Sequence, residues 1–103
     1  MEKYRVILAT RVRSQLLNHI TFLSRVSPHA ARRLRFSFEE IKERIKENPF
    51  QFPSDHVLSN LNLPYRSALF EGRYKALFTV EGHDVFIDSV IDCRQQNESD
   101  SSN

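Results

Sequence analysis

Residues 64–95 read PYRSALFEGRYKALFTVEGHDVFIDSVIDCRQ, and the alternation within them decides the fold. Tyr65–Phe70 and Tyr74–Val80 are short apolar runs, each the length of a strand. Glu71-Gly72-Arg73 parts them, with Gly72 offering the positive φ that a tight turn needs. Glu81-Gly82-His83 marks the next turn, and Asp84–Arg94 reads as the third strand of a meander. In the middle strand Tyr74, Ala76, Phe78 and Val80 share one face, and Lys75, Leu77 and Thr79 share the other. The last strand is apolar on both faces: Val85, Ile87 and Ile91 fall on one, Phe86 and Val90 on the other.

Upstream of the meander the period changes. Residues 49–64 hold three prolines together with Phe50, Phe52, Val57 and Leu58, a linker expected to pack against the body. Before it, Leu34, Phe38, Ile41 and Ile45 recur at steps of four and three, the apolar stripe of a helix. That helix runs from Ser27-Pro28, a cap followed by a proline at the first turn, to Asn48-Pro49, where the residue before proline disfavours helix. Glu40 and Arg44 are spaced to pair on its exposed side. An earlier helix carries the stripe Val12, Leu16, Ile20 and Leu23, with Thr10 placed to cap it. Residues 3–9, KYRVILA, read as a strand. The expected order is β-α-α-β-β-β, an α+β domain with an antiparallel sheet and an N-terminal helical hairpin packed on one face.

The chain has 103 residues, which fits one domain, placed at 1–95, with a polar tail at 96–103 that is expected to be disordered. Eight phenylalanines and three tyrosines supply bulky core material. No long apolar run is present, so no membrane span is expected, and the N-terminus does not read as a signal peptide. Cys93 is the only cysteine, which excludes a disulfide framework and points to a reducing cytoplasm. The net charge of +2 hides an asymmetry. Residues 1–38 hold eight basic groups and one acid, a net of +7, whereas residues 39–103 net −5. A basic half favours an anionic partner, nucleic acid or an acidic protein segment, and also serves as a plain solvated face.

This order with these residues resembles the RelE/ParE superfamily of bacterial toxins over residues 3–95. The specific part lies in residues 64–95: Arg66 before the hairpin, the Gly72-Arg73-Tyr74 turn, an apolar hairpin, and Arg94 in the closing IDCRQ. The resemblance implies one of two activities. RelE-like members are ribosome-dependent mRNA endonucleases; ParE-like members share the fold, lack the nuclease residues and poison DNA gyrase. Both kinds are silenced by a cognate antitoxin that wraps the toxin. The sequence has no phosphate-binding glycine loop, no metal-ligand spacing and no Gly-x-Ser-x-Gly turn, so no cofactor, no metal, no small-molecule substrate and no membrane partner are expected. A purely regulatory member that harms nothing is a third expectation.

RNA cleavage by its own 2′-OH needs a base, cations for the transition state and an acid for the leaving oxygen. By the resemblance Arg73 and Arg94 supply the cations, since a guanidinium stays charged and grips phosphate bidentately. Arg66 and Lys75 are further binding candidates, although strand alternation can turn Lys75 away from Arg73. The structural alternative is that Arg66, Arg73 and Arg94 pair with Glu71, Asp88 or Asp92. RelE-like nucleases carry a tyrosine, or a histidine with a tyrosine, after the last-strand arginine, and none follows Arg94 here. His56, His83 and Glu71 are the substitutes to consider; His19 and His29 read as surface, and Cys93 as a packed residue. The missing acid and base favour the ParE-like, binding mode, and removal of Arg73 or Arg94 is expected to leave the fold intact.

Overall fold

Leu34, Phe38, Ile41 and Ile45 are each 3% exposed or less, and the core is built on them. The computed structural model describes residues 3–55 and 64–94. Its elements are β1 (Arg5–Leu8), α1 (Thr10–Val26), α2 (Pro28–Glu47), a 3-10 turn at Pro49–Gln51, β2 (Arg66–Phe70), β3 (Tyr74–Glu81) and β4 (Asp84–Asp92). The order is the expected β-α-α-β-β-β. The Ser27 hydroxyl accepts the Ala30 N–H at 3.1 Å and Pro28 opens α2. At the far end Asn48 turns to extended backbone and its carboxamide caps the Pro49 turn through Phe50 N–H. Thr10 does not cap α1: Ala9 holds that position without a side-chain bond, and Thr10 is already helical.

The helical stripes close on one face of the sheet. The α2 stripe is buried with Val12, Ala68, Phe70, Tyr74, Ala76, Phe78, Val85, Ile87 and Val90, while Leu16, Ile20 and Leu23 pack at its margin. Phe38 lies against Phe70, and Phe52 stands edge-on to Phe78. Arg44 makes no pair with Glu40; it bonds to Gln51 and covers the Phe52 ring. No described helix is long and apolar enough to cross a membrane.

The sheet is mixed, not antiparallel. Its order is β1-β4-β3-β2, with β1 parallel to β4 and the other pairs antiparallel. The path of the hairpin explains the direction. α1 continues the course of β1 past the edge of β4, and α2 returns the chain to the level where β1 began, so that Lys46 O accepts the Tyr4 N–H at 3.0 Å. β2 runs the same way as β1 but at the opposite edge of the sheet, with its first residue, Arg66, level with Leu8 through Phe78 and Ile87. Two tight turns then leave β4 parallel to both, and β1 joins at the open side of β4, while the segment at 53–55 lies along the outer side of β2.

A second correction concerns faces. The β3–β4 register shifts between Leu77, opposite Ser89, and Phe78, opposite Ile87, so Asp88 is an extra residue in β4. Such a bulge reverses the alternation beyond it. Val85, Ile87 and Val90 consequently enter the core, and Ile91 goes to the opposite face, where simple period-two reading had placed Ile91 with Val85.

Of the linker, residues 49–55 do pack: Phe52 is buried, and Ser54 bridges Arg66 at the outer edge of β2. Val57 and Leu58 lie outside the described residues, as do His56 and the tail at 96–103. Truncating Phe38 to alanine removes its contacts with Phe70 and the α2 stripe, and a loss of about 3–5 kcal/mol in a urea titration is expected. Leu17→Ala, at a site 62% exposed, is expected to stay within about 0.5 kcal/mol of the parent.

Candidate functional site

The β2–β3 turn and the end of β4 bring the two marked arginines to one place. Glu71 and Gly72 take φ values of 53° and 67°. A left-handed glutamate costs about 1–2 kcal/mol, and its side chain is held: the carboxylate accepts from Ser37 Oγ and from Arg33 Nε at 2.8 Å. The turn is thereby tied to α2. Those bonds, Ser37 first and Arg33 second, keep the Glu71 carboxyl below its ordinary value. It is a poor base as a result.

Arg73 leaves this turn towards Asp92, which is 4% exposed. Nη2 approaches Oδ2 at 2.8 Å and Nε reaches both carboxylate oxygens at 3.3 Å. The Arg94 backbone N–H donates to Oδ1 at 3.0 Å, and the Cys93 N–H donates to Arg73 O. Burial works to raise the Asp92 carboxyl, but the bonds from Arg73 and Arg94 outweigh it, and the group is held below its usual range. The Arg73 guanidinium also lies over the Tyr74 ring, 5.2 Å from its centroid. Arg94 is exposed, and its side chain forms no ion pair with any described acid.

The other two candidates lie elsewhere. Arg66, at the opposite end of β2, donates from Nη1 to Phe52 O at 2.6 Å and covers the Phe50 ring at 5.0 Å. Lys75 points to the sheet face away from the helices and pairs with Asp55 at 3.6 Å. The site thus holds Arg73 and Arg94 together, without Arg66 or Lys75.

It also holds residues that the sequence reading passed over. A groove of about 570 Å³ opens between α1 and the end of β4, lined by Gln15, Asn18, His19, Phe22, Tyr74 and Asp92 among others. His19 is not a surface residue but half-buried: its Nε2 is 3.2 Å from Val90 O and its ring centroid 5.1 Å from that of Tyr74. A carbonyl only accepts, so Nε2 is the donor in that contact. Gln15, one helical turn earlier, accepts the Val90 N–H at 2.8 Å. The Gln15/His19 spacing of four was the one available signal. Tyr74 is raised from its ordinary value by burial and stays protonated.

His83 stands in the turn at the opposite end of β3, against Tyr4, and cannot serve this site. Burial pushes the Cys93 thiol up, which suits a packed residue and not a nucleophile. The described residues hold no cluster of three or more metal-ligating side chains. As arranged, the site can bind through Arg94 and the groove; proton transfer there would fall to His19. Neither protein-family models nor curated proteins give a match to the chain.

Because Arg73 is the counter-ion of a buried carboxylate, its removal is not neutral for the fold. Arg73→Ala is expected to cost about 2–3 kcal/mol at pH 7, and Arg94→Ala less than about 0.5 kcal/mol. Asp92 is depressed in the folded state, so its contribution is present above the ordinary carboxylate range and fades as pH falls through the lowered folded value. The deficit of Arg73→Ala should therefore shrink on acidification below about pH 4, read as converging denaturation midpoints.

Proposed function

We propose that the chain is the toxin component of a toxin–antitoxin pair, with a RelE/ParE-like fold, that it acts in the cytoplasm by binding a DNA gyrase-like target, and that a cognate antitoxin silences it. The element order, β-α-α-β-β-β, is the one the resemblance implies. The observation that carries the binding mode is the closed Arg73–Asp92 pair. A nuclease needs Arg73 turned to the phosphate, together with a base and an acid. Here its guanidinium is engaged with Asp92, and Glu71 is engaged with Ser37 and Arg33. The outer helical surface supports the antitoxin: Leu17, Phe22, Val26 and Phe36 are more than half exposed among Arg13, Arg25, Arg32 and Arg35. An acidic, amphipathic segment that folds on binding would cover such a surface.

One observation favours the second reading, a ribosome-dependent mRNA endonuclease. His19 and Tyr74 line the groove, with the Arg73 guanidinium over the Tyr74 ring, and a substrate phosphate could draw the guanidinium from Asp92. Both activities are to be assayed on one preparation. The binding reading expects gyrase-linked DNA breaks and filamentation on expression, relief by a coexpressed antitoxin, and no codon-specific cleavage of mRNA on ribosomes. Cleavage that is lost in His19→Ala would replace it with the nuclease. A chain harmless in its host and bound by no antitoxin would remove the toxin reading altogether.

A further inference from the structure

Among the described residues, parts of the edges of this sheet are covered. At the outer edge of β2, Ser67 N–H donates to Pro53 O and Asp55 N–H to Tyr65 O, so the segment at 53–55 acts as a fifth, irregular strand. Where β4 outruns β1, Gln15 and His19 meet the Val90 backbone. β1 itself is an edge strand. Its Arg5 and Ala9 N–H groups point inward, to His83 O and Ile87 O of the β4 side, and Tyr4 N–H meets Lys46 O. By the two-residue period of a strand, the N–H and C=O groups of Val6 and Leu8 face outward. Among the described residues nothing gives them a backbone partner. An open edge is a template for another strand.

A cleft of about 630 Å³ runs along this edge, between β1, the start of α1 and the second half of α2. Tyr4, Val6 and Leu8 form its apolar floor, and its polar lining is wholly cationic: Lys3, Arg5, Arg13, Lys42 and Lys46. Arg13 has no ion pair among the described residues. The others pair outside the cleft with Glu47, Asp84, Glu39 and Glu43. Exposed pairs of this kind are worth little and exchange readily for an incoming carboxylate.

We propose that the outer edge of β1 is a docking site for an extended acidic peptide segment. The segment would add to the sheet through the Val6 and Leu8 backbones and set its carboxylates against Arg13, Lys42 and Lys46. Charge selects the occupant. A second copy of the chain paired through the same edge would bring these cations against one another. A nucleic acid would meet the cations but leave the backbone donors and acceptors of Val6 and Leu8, and the apolar floor, unmatched. A strand that alternates acidic and apolar residues satisfies all three features. The inference uses neither Arg73 nor Arg94 and does not rest on the toxin reading.

The test uses the purified full chain and a fluorescent peptide of about eight residues alternating glutamate and valine. Its binding is followed by anisotropy and by backbone amide shifts. The expected result is saturable binding with the largest shifts at Val6 and Leu8. It should weaken about tenfold both in Arg13→Glu and when alternate peptide nitrogens are methylated, which removes ladder donors while keeping the charge. Arg13 is exposed, so the variant folds; Arg13→Gln with Lys42→Gln is the charge-neutral companion and should weaken binding in the same direction. Equal binding of the methylated peptide, shifts centred elsewhere, or no binding at millimolar peptide each overturns the proposal. So does a single-stranded oligonucleotide that displaces the peptide and binds more tightly, which would assign the cleft to nucleic acid.

Discussion

Val90 N–H and C=O, satisfied by Gln15 and His19 of α1, hold the architecture together. β1 ends at Leu8, opposite Ile87, while β4 runs on to Asp92. The exposed ladder beyond that point would leave buried backbone groups unpaired, at about 1–3 kcal/mol each. Two side chains one helical turn apart supply what the missing strand does not. That contact fixes the position of α1 against the sheet and creates the groove on its outer side. The Asp88 bulge belongs to the same solution. It lies where β4 changes neighbours, and it rotates Val90 into the core while Asp88 itself is met by Arg11 and Tyr65.

Electrostatics divides the molecule into pairs of unequal consequence. Arg5–Asp84 and Lys3–Glu47 lie in water and contribute tenths of a kcal/mol. Arg73–Asp92 is different, because the carboxylate is buried and depends on its partner. Two structural demands therefore meet at the turn that carries Arg73: Asp92 requires a cation, and the left-handed Glu71 requires the anchor from α2. A turn restrained from both sides holds the Arg73 guanidinium on Asp92.

Much of this was legible from residue patterns. The α2 stripe, the Ser27-Pro28 restart, the Asn48-Pro49 stop and the two glycine turns are local signals, and local physics fixes them. The direction of β1 was not legible, since it depends on where α2 delivers the chain. Nor was the bulge, because both phases of β4 are apolar and Val90 and Ile91 fit either face. His19 read as surface because its partner, Val90, is 71 positions away. Arg73 meets Asp92 through its guanidinium and Arg94 through its backbone N–H, and that acid was one of three alternatives until geometry selected it. The Lys75 side chain obeyed alternation and left the site.

The parallel pairing of β1 with β4 also sets an order in time. Arg5 and Asp84 are joined across 79 positions of chain, whereas the helical hairpin and the β2–β3–β4 meander close over short loops. Short loops close early and long ones late. During synthesis, at about 5–20 residues per second, β1 emerges on the order of ten seconds before its partner strand exists. Over that interval Val6, Ile7 and Leu8 have both edges open, and β4 covers one of them once it has been made.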